Sequence, residues 1–308
     1  MEHISVLIKE VEQGLDLKKG DVVVDATLGL GGHSKVILKR ISKTGKLYVF
    51  DQDLDNLNEA KKRLKDYENQ VVYIKDNFRN LKTRLKENGV QKIDAILFDL
   101  GICSTHVDIS ERGFSFMKEA DLDMRFDKNN EFSAKDLVNN YSVEELSKIF
   151  REYGEEKYAY KIAKGISERR NTNRFEKTTD LAQFIKDIYP KIKLKVHPAT
   201  KVFQAIRIEV NDEMNALKEA LSSAFEMLDL GGRIVVISYH SLEDRIVKQF
   251  FSKLLKPVAS EREQIFRTFS EPLVKKVNKK PIIPTEEEMT VNPRSRSAKL
   301  RTYIKLIK

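Results

Sequence analysis

Four short apolar runs in the first hundred residues, the first three each followed by a helical pattern, constrain this chain more than any other feature. Val22-Val23-Val24-Asp25, Lys46 to Phe50, Val71 to Ile74 and Ile93 to Leu100 read as strands buried on both faces. Gly31 to Arg40 is the helix after the first, with Val36, Ile37 and Ile41 along one side. Leu54 to Tyr67 follows the second, and Leu81 to Asn88, closed by Gly89, follows the third. Such alternation builds a parallel sheet with right-handed crossovers. The fold class expected is α/β, a doubly wound Rossmann-like core.

The rhythm breaks after the fourth strand. Between residues 107 and 196 no run reads as a buried strand. Ser142 with Glu145 forms a capping box, and helices are expected over Glu155 to Arg169 and over Thr179 to Tyr189, the latter capped by Thr-Thr-Asp. We read 107–196 as an inserted helical domain for substrate recognition, and 1–106 with 197–308 as the core. The core resumes with a helix over Asn211 to Leu228, the strand Arg233 to Ser238 after Gly231-Gly232, and a helix over Leu242 to Leu255. Pro257 to Asn292 is polar and irregular, and Lys299 to Ile307 is a last strand.

Composition excludes several classes. The 308 residues contain one cysteine, so no intrachain disulfide framework exists. No apolar run approaches a membrane span, and Met1-Glu2-His3-Ile4 lacks the marks of a secretion signal, which makes the cytoplasm the expected location. The histidines at 3, 33, 106, 197 and 240 show no metal-ligand spacing, so no metal is expected. Lys plus Arg number 56 against 47 Asp plus Glu, a net charge of +9 that suits a polyanion such as nucleic acid. From Arg294 to Lys308 there are six basic side chains and no acidic one.

The turn Asp25-Ala-Thr-Leu-Gly-Leu-Gly-Gly-His33 joins the first strand to its helix. In a doubly wound sheet, a nucleotide cofactor lies on this turn. Asp51 ends the second strand, 22 residues past Gly29, where a carboxylate can hold ribose hydroxyls, and Asp99 ends the fourth. The dinucleotide fingerprint fails at its third glycine, which is Ser34, and the turn brings no cations for a pyrophosphate. An acidic crevice suits a phosphate-free adenosyl sulfonium better, so a methyltransferase ranks ahead of a hydride-transfer enzyme.

Several blocks resemble the bacterial ribosomal RNA small subunit methyltransferase H family. They are His3-Ile-Ser-Val-Leu, Asp25 to Ser34, Glu111-Arg-Gly-Phe-Ser-Phe116, Leu122-Asp-Met-Arg125, His197-Pro-Ala-Thr200, Phe203-Gln-Ala-Ile-Arg207, Ser238 to Arg245 and Asn292 to Arg301. The resemblance implies S-adenosylmethionine as cofactor and methylation of N4 of a cytidine in 16S rRNA, near the decoding P site. It implies cofactor contacts at Gly31, Gly32, His33, Asp51, Phe78 and Asp99, and a further one at His106. There the family pattern has Gln in a Ser-Ser-Pro-Gln run, whereas this chain reads Cys103-Ser-Thr-His106. The expected partner is small-subunit rRNA, with no membrane; a homodimer stays open.

The exocyclic amine of cytosine is a poor nucleophile, because its lone pair is spread into the ring. Transfer requires in-line alignment and acceptors for the amine hydrogens. Asp99 and Ser104 are the candidate acceptors, with His240 near the target base. Ser241 is expected to cap the helix from Leu242. Cys103 opens a rival, a cytosine-C5 enzyme working through a thiolate adduct, against the blander reading of a small loop residue. A second rival is a non-catalytic RNA-binding assembly factor that keeps the fold. Phe114 and Phe116 could stack on bases or anchor a core. The phosphate candidates are Arg125, Arg207, Arg294, Arg296, Lys299 and Arg301.

Overall fold

The computed structural model describes residues 4–189, 196–256 and 272–307, the side chain of Ser104 excepted. Two compact units emerge, one from residues 1–101 with 214–308 and one from Ile102–Glu213.

In the first unit the expected rhythm is present. Helix α1 (Ile8–Leu15) precedes β1 (Val22–Asp25), α2 (Gly32–Ile41), β2 (Lys46–Asp51), α3 (Leu54–Arg63), β3 (Val71–Lys75), α4 (Leu81–Glu87) and β4 (Ile93–Asp99). After the helical unit come α11 (Glu213–Met227), β5 (Leu228–Ser238), α12 (Ser241–Leu254), β6 (Val274–Lys276), α13 (Glu286–Val291) and β7 (Lys299–Lys305). The seven strands are ordered β3-β2-β1-β4-β5-β7-β6. The first five pair in parallel, and β7 inserts antiparallel between β5 and β6.

Alternation along β4 divides its side chains between two cores. Ile96 and Phe98 join Phe50, Leu221 and Phe251 on one face, while Ala95 and Leu97 join Leu47, Ile37 and Val235 on the other. With both faces covered, the central strands read as continuous apolar runs.

The second unit is helical: α5 (Ser104–Asp108), α6 (Ala134–Asn140), α7 (Val143–Glu152), α8 (Ala159–Arg169), α9 (Thr178–Ile188) and α10 (Ala199–Val210). Its core gathers Leu137, Phe150, Ile162, Phe175, Ile185 and Ile206, among others. The unit is wider than 107–196 because α10, which lies past that stretch, buries Val202, Phe203 and Ile206 in this core. The Ser142 box forms as expected: Glu145 N–H donates to Ser142 Oγ at 3.2 Å, and Ser142 N–H to Glu145 Oε2 at 2.8 Å.

Several expectations are corrected. The helix expected over 54–67 ends at Arg63 and continues as a 3₁₀ turn over Lys65–Gln70. The helix expected over 211–228 forms as α11 but starts two residues later, after Asn211 and Asp212, the latter at φ 47°. Thr178 does not cap α9; its buried hydroxyl accepts from Ala120 N–H and donates to the Lys118 carbonyl. The irregular stretch 257–292 contains β6 and α13, and its residues 257–271 lie outside the described ones.

Candidate functional site

The glycine turn is laced to the ends of two neighbouring strands. Asp25, buried at the end of β1, accepts from Thr27 N–H at 3.1 Å and from the Ser34 hydroxyl at 2.7 Å. Thr27 Oγ1 accepts the N–H of Asp99 at 2.7 Å, which fixes the end of β4. Leu28 N–H reaches the Phe50 carbonyl at 2.9 Å, and Gly29 N–H reaches Asp51 Oδ2 at 3.0 Å. Gly29 and Gly31 have φ of 50° and 77°, a left-handed backbone that glycine adopts without strain. A Cβ on Gly32 would stand 1.9 Å from Ser5 Oγ, so glycine lets residue 5 lie against the start of α2.

Asp51 accepts three hydrogen bonds, from Gly29 N–H, from Asp53 N–H at 2.8 Å and from Asn56 Nδ2 at 3.2 Å. Even so, loss of solvation, with the Asp53 charge beside it, pushes its carboxyl up to about 7. Phe78, in the turn after β3, meets Phe98 edge-on at 5.9 Å.

At the end of β4, Asp99 Oδ1 accepts from the Tyr239 hydroxyl at 2.8 Å. His33 Nε2 stands 3.4 Å from Asp99 Oδ2, an ion-pair distance without hydrogen-bond alignment. Burial pulls the His33 pKa down, but Asp99, with Asp25 and Glu288 behind it, overrides that and raises it. Burial and the same Asp99 carboxylate hold the Tyr239 phenol well above its usual range. Sequence reasoning missed Thr27 and Tyr239. Position was the available signal: Thr27 sits inside the turn, and Tyr239 directly follows β5, the neighbour of β4.

His240 has a structural duty. It is the N-cap of α12, in place of the expected Ser241, in a capping box with Glu243. Buried Glu243 Oε2 accepts from the N–H groups of Tyr239 at 2.7 Å and His240 at 3.2 Å. The His240 Nε2 lies 3.2 Å from Glu243 Oε1.

Arg301, Arg125 and Arg207, all phosphate candidates, hold carboxylates of the protein. Arg301 forks onto Asp244 at 2.7 and 3.2 Å, tying β7 to α12. In the helical unit, Arg125 forks onto Asp123 at 2.8 Å through both Nε and Nη2, and Arg207 forks onto Glu213 at 2.8 and 3.1 Å. These guanidiniums hold protein carboxylates, which is the physical reason a phosphate role for them loses support. Arg294 and Arg296 are exposed, and Lys299 is half-buried.

Also in the helical unit, buried His106 accepts from Cys103 N–H through Nδ1 at 3.2 Å and packs between Phe114 and Phe126 at 4.9 and 5.0 Å. The Cys103 side chain accepts the backbone N–H of His106 at the start of α5, a cap rather than an exposed thiol. Phe116 packs on His197 and Phe203 at 4.7 and 4.9 Å, so both aromatics of the Glu111–Phe116 block serve packing. The side chain of Ser104 lies outside the described ones.

The crevice fits an adenosyl sulfonium. Carboxylates stand at the ends of β1, β2 and β4, no Lys or Arg lies between Asp25 and Ser34, and both buried ring nitrogens of His33 lack a hydrogen-bond partner. Asp51 and the glycine turn would hold the cofactor, which supplies an electrophilic methyl group when bound. Strand order and site together define a methyltransferase that uses S-adenosylmethionine. The model of the MraW methylase family matches residues 1–306, and the chain belongs to that family. Ribosomal RNA small subunit methyltransferase H of Clostridium botulinum strain Loch Maree / Type A3 is 48% identical over 307 residues, 99% of each chain. The protein of that name from strain 657 / Type Ba4 is 47% identical over the same shares. A crystal structure of an rRNA methylase from Streptococcus thermophilus is 14% identical, covers 99% of this chain and 100% of its own, and has a TM-score of 0.47.

Among the described residues, no group of three or more His, Cys, Asp or Glu could hold a metal, and no helix is long and apolar enough to cross a membrane.

Proposed function

We propose that this methyltransferase acts on 16S rRNA of the small ribosomal subunit, at N4 of a cytidine near the decoding P site, and that it works in the cytoplasm, where its substrate is. The observation that carries the reading is the placement of Asp99. It ends β4 in the cofactor crevice, with its backbone N–H held by Thr27 and one carboxylate oxygen by Tyr239. A carboxylate so fixed can accept an amine hydrogen of cytosine, which frees the nitrogen lone pair for in-line attack. No strong base is needed, because the methylated nitrogen sheds its proton readily. Gly31, Gly32, His33, Asp51 and Phe78 would hold the cofactor, and Arg294, Arg296 and Lys299 are the remaining candidates for RNA phosphates.

The test is transfer of labelled methyl to small-subunit rRNA, followed by nucleoside mass spectrometry, for the wild type and for Cys103→Ser. N4-methylcytidine from both is expected, since transfer to nitrogen needs no thiolate adduct. Methyl on C5 would establish the thiolate mechanism instead, and turnover lost in Cys103→Ser with folding and cofactor binding intact would revive it. RNA binding without any transfer would leave an assembly factor.

A further inference from the structure

An open cavity of about 350 Å³ lies in the sheet unit, with Tyr239, the donor to Asp99, in its lining. Ile283, Pro284 and Met289 give it apolar lining. Arg296 and Lys299 also line it, as do Tyr239, His240 and Ser241 at the start of α12. No carboxylate lines it, so two cations share the cavity with apolar side chains and no opposing charge of their own. Its size is that of a pocket for a small organic group rather than a protein segment.

Tyr239 connects this cavity to the chemistry. The residue that lines it also donates its hydroxyl to Asp99 at 2.8 Å. Whatever occupies the cavity therefore lies one side chain away from the carboxylate assigned to the target amine. An occupant with an anionic link and a flat, partly apolar ring matches this lining: the link suits Arg296 and Lys299, and the ring suits Ile283, Pro284 and Met289. Single-stranded nucleic acid offers that combination at every residue.

Resting on the rRNA reading above, we propose that this cavity holds the nucleotide of the RNA substrate next to the target cytidine. Its phosphate pairs with Arg296 and Lys299, and its base packs on Ile283, Pro284 and Met289. The cavity positions the target for attack and does not take part in transfer.

The test uses the full chain, S-adenosylmethionine and a single-stranded oligoribonucleotide from the small-subunit rRNA around the methylated cytidine. The double variant Arg296→Gln, Lys299→Gln removes the cations, and Ser297→Trp fills the cavity from an exposed lining position. In both, KM for RNA should rise tenfold or more, with kcat within about twofold and cofactor affinity unchanged. The double variant should also flatten the salt dependence of RNA binding by about 0.7 units of slope per lost phosphate contact. Lys299→Arg should restore KM to near the wild-type value. An unchanged KM and salt slope in the double variant, with the wild type active, would overturn the cavity assignment and leave the rRNA reading standing. Should Ser297→Trp lose cofactor binding through misfolding, the double variant alone decides. A wild type that transfers no methyl to small-subunit rRNA would overturn the rRNA reading, and this inference with it.

Discussion

Lowering the pH from 8 to 6 should loosen cofactor binding about tenfold, through Asp51. The carboxyl of Asp51 titrates at about 7 in the folded protein. Only its ionised form can accept from two ribose hydroxyls, because the protonated form carries a donor of its own. With a pKa near 7, roughly nine-tenths of the carboxyl is ionised at pH 8 and roughly one-tenth at pH 6. Affinity is therefore full above pH 7 and is lost as pH falls through it, by about tenfold or ~1.4 kcal/mol. Calorimetric titration in buffers of different ionisation enthalpy should also record nearly one proton released per cofactor bound at pH 6. His33 stands nearby with a raised pKa, and its protonation would repel a sulfonium in the same direction. Asp51→Asn separates the two, since it should bind weakly and with little pH dependence. A wild type whose affinity is flat from pH 8 to 6, or an Asp51→Asn variant that keeps the full tenfold loss, would refute the reasoning.

Two further predictions concern residues the helical unit has turned to its own use. Gly113 has φ of 71°, and a Cβ there would meet the Asp121 carbonyl at 2.4 Å and the Asp123 nitrogen at 2.7 Å. Left-handed strain and a backbone clash together should make Gly113→Ala cost about 3 kcal/mol in chemical denaturation, and a loss below ~1 kcal/mol would show the loop relaxes freely. Arg207→Ala removes the guanidinium that Glu213, only 11% exposed, holds at 2.8 Å. It should destabilise the unit by roughly 3–5 kcal/mol and leave the salt slope of RNA binding unchanged; a stable variant with a flattened slope would return Arg207 to the RNA.

Much of the fold was readable because it rests on local periodicity. β1 to β4 are buried on both faces, so their apolar runs stood out against polar helices such as α3. β6 spans three residues and cannot announce itself. The glycine turn and Asp51 were legible from spacing alone. The partners of charged groups were not. Arg125 and Arg207 look like phosphate ligands in a list of residues, and nothing in the sequence announces that they also hold Asp123 and Glu213. Tyr239 escaped notice for the opposite reason: an aromatic residue after an apolar strand reads as packing, while its hydroxyl is what touches Asp99.

The antiparallel β7 also sets an order on assembly. β5 and β6 do not pair with each other; β7, which is synthesised after both, lies between them. As the nascent chain grows, β1 to β4 can associate early, but β5 keeps an open edge until residues 299–305 emerge. The same late segment supplies Arg301 to Asp244, so α12 is secured at the same moment. Tyr239 and His240 stand at that junction, and α12 begins beside them. A chain halted before Lys299 would thus hold a nearly complete glycine turn beside a raw strand edge, prone to pair with other chains. Closing the edge of β5 and fixing α12 thus both wait on one segment, β7.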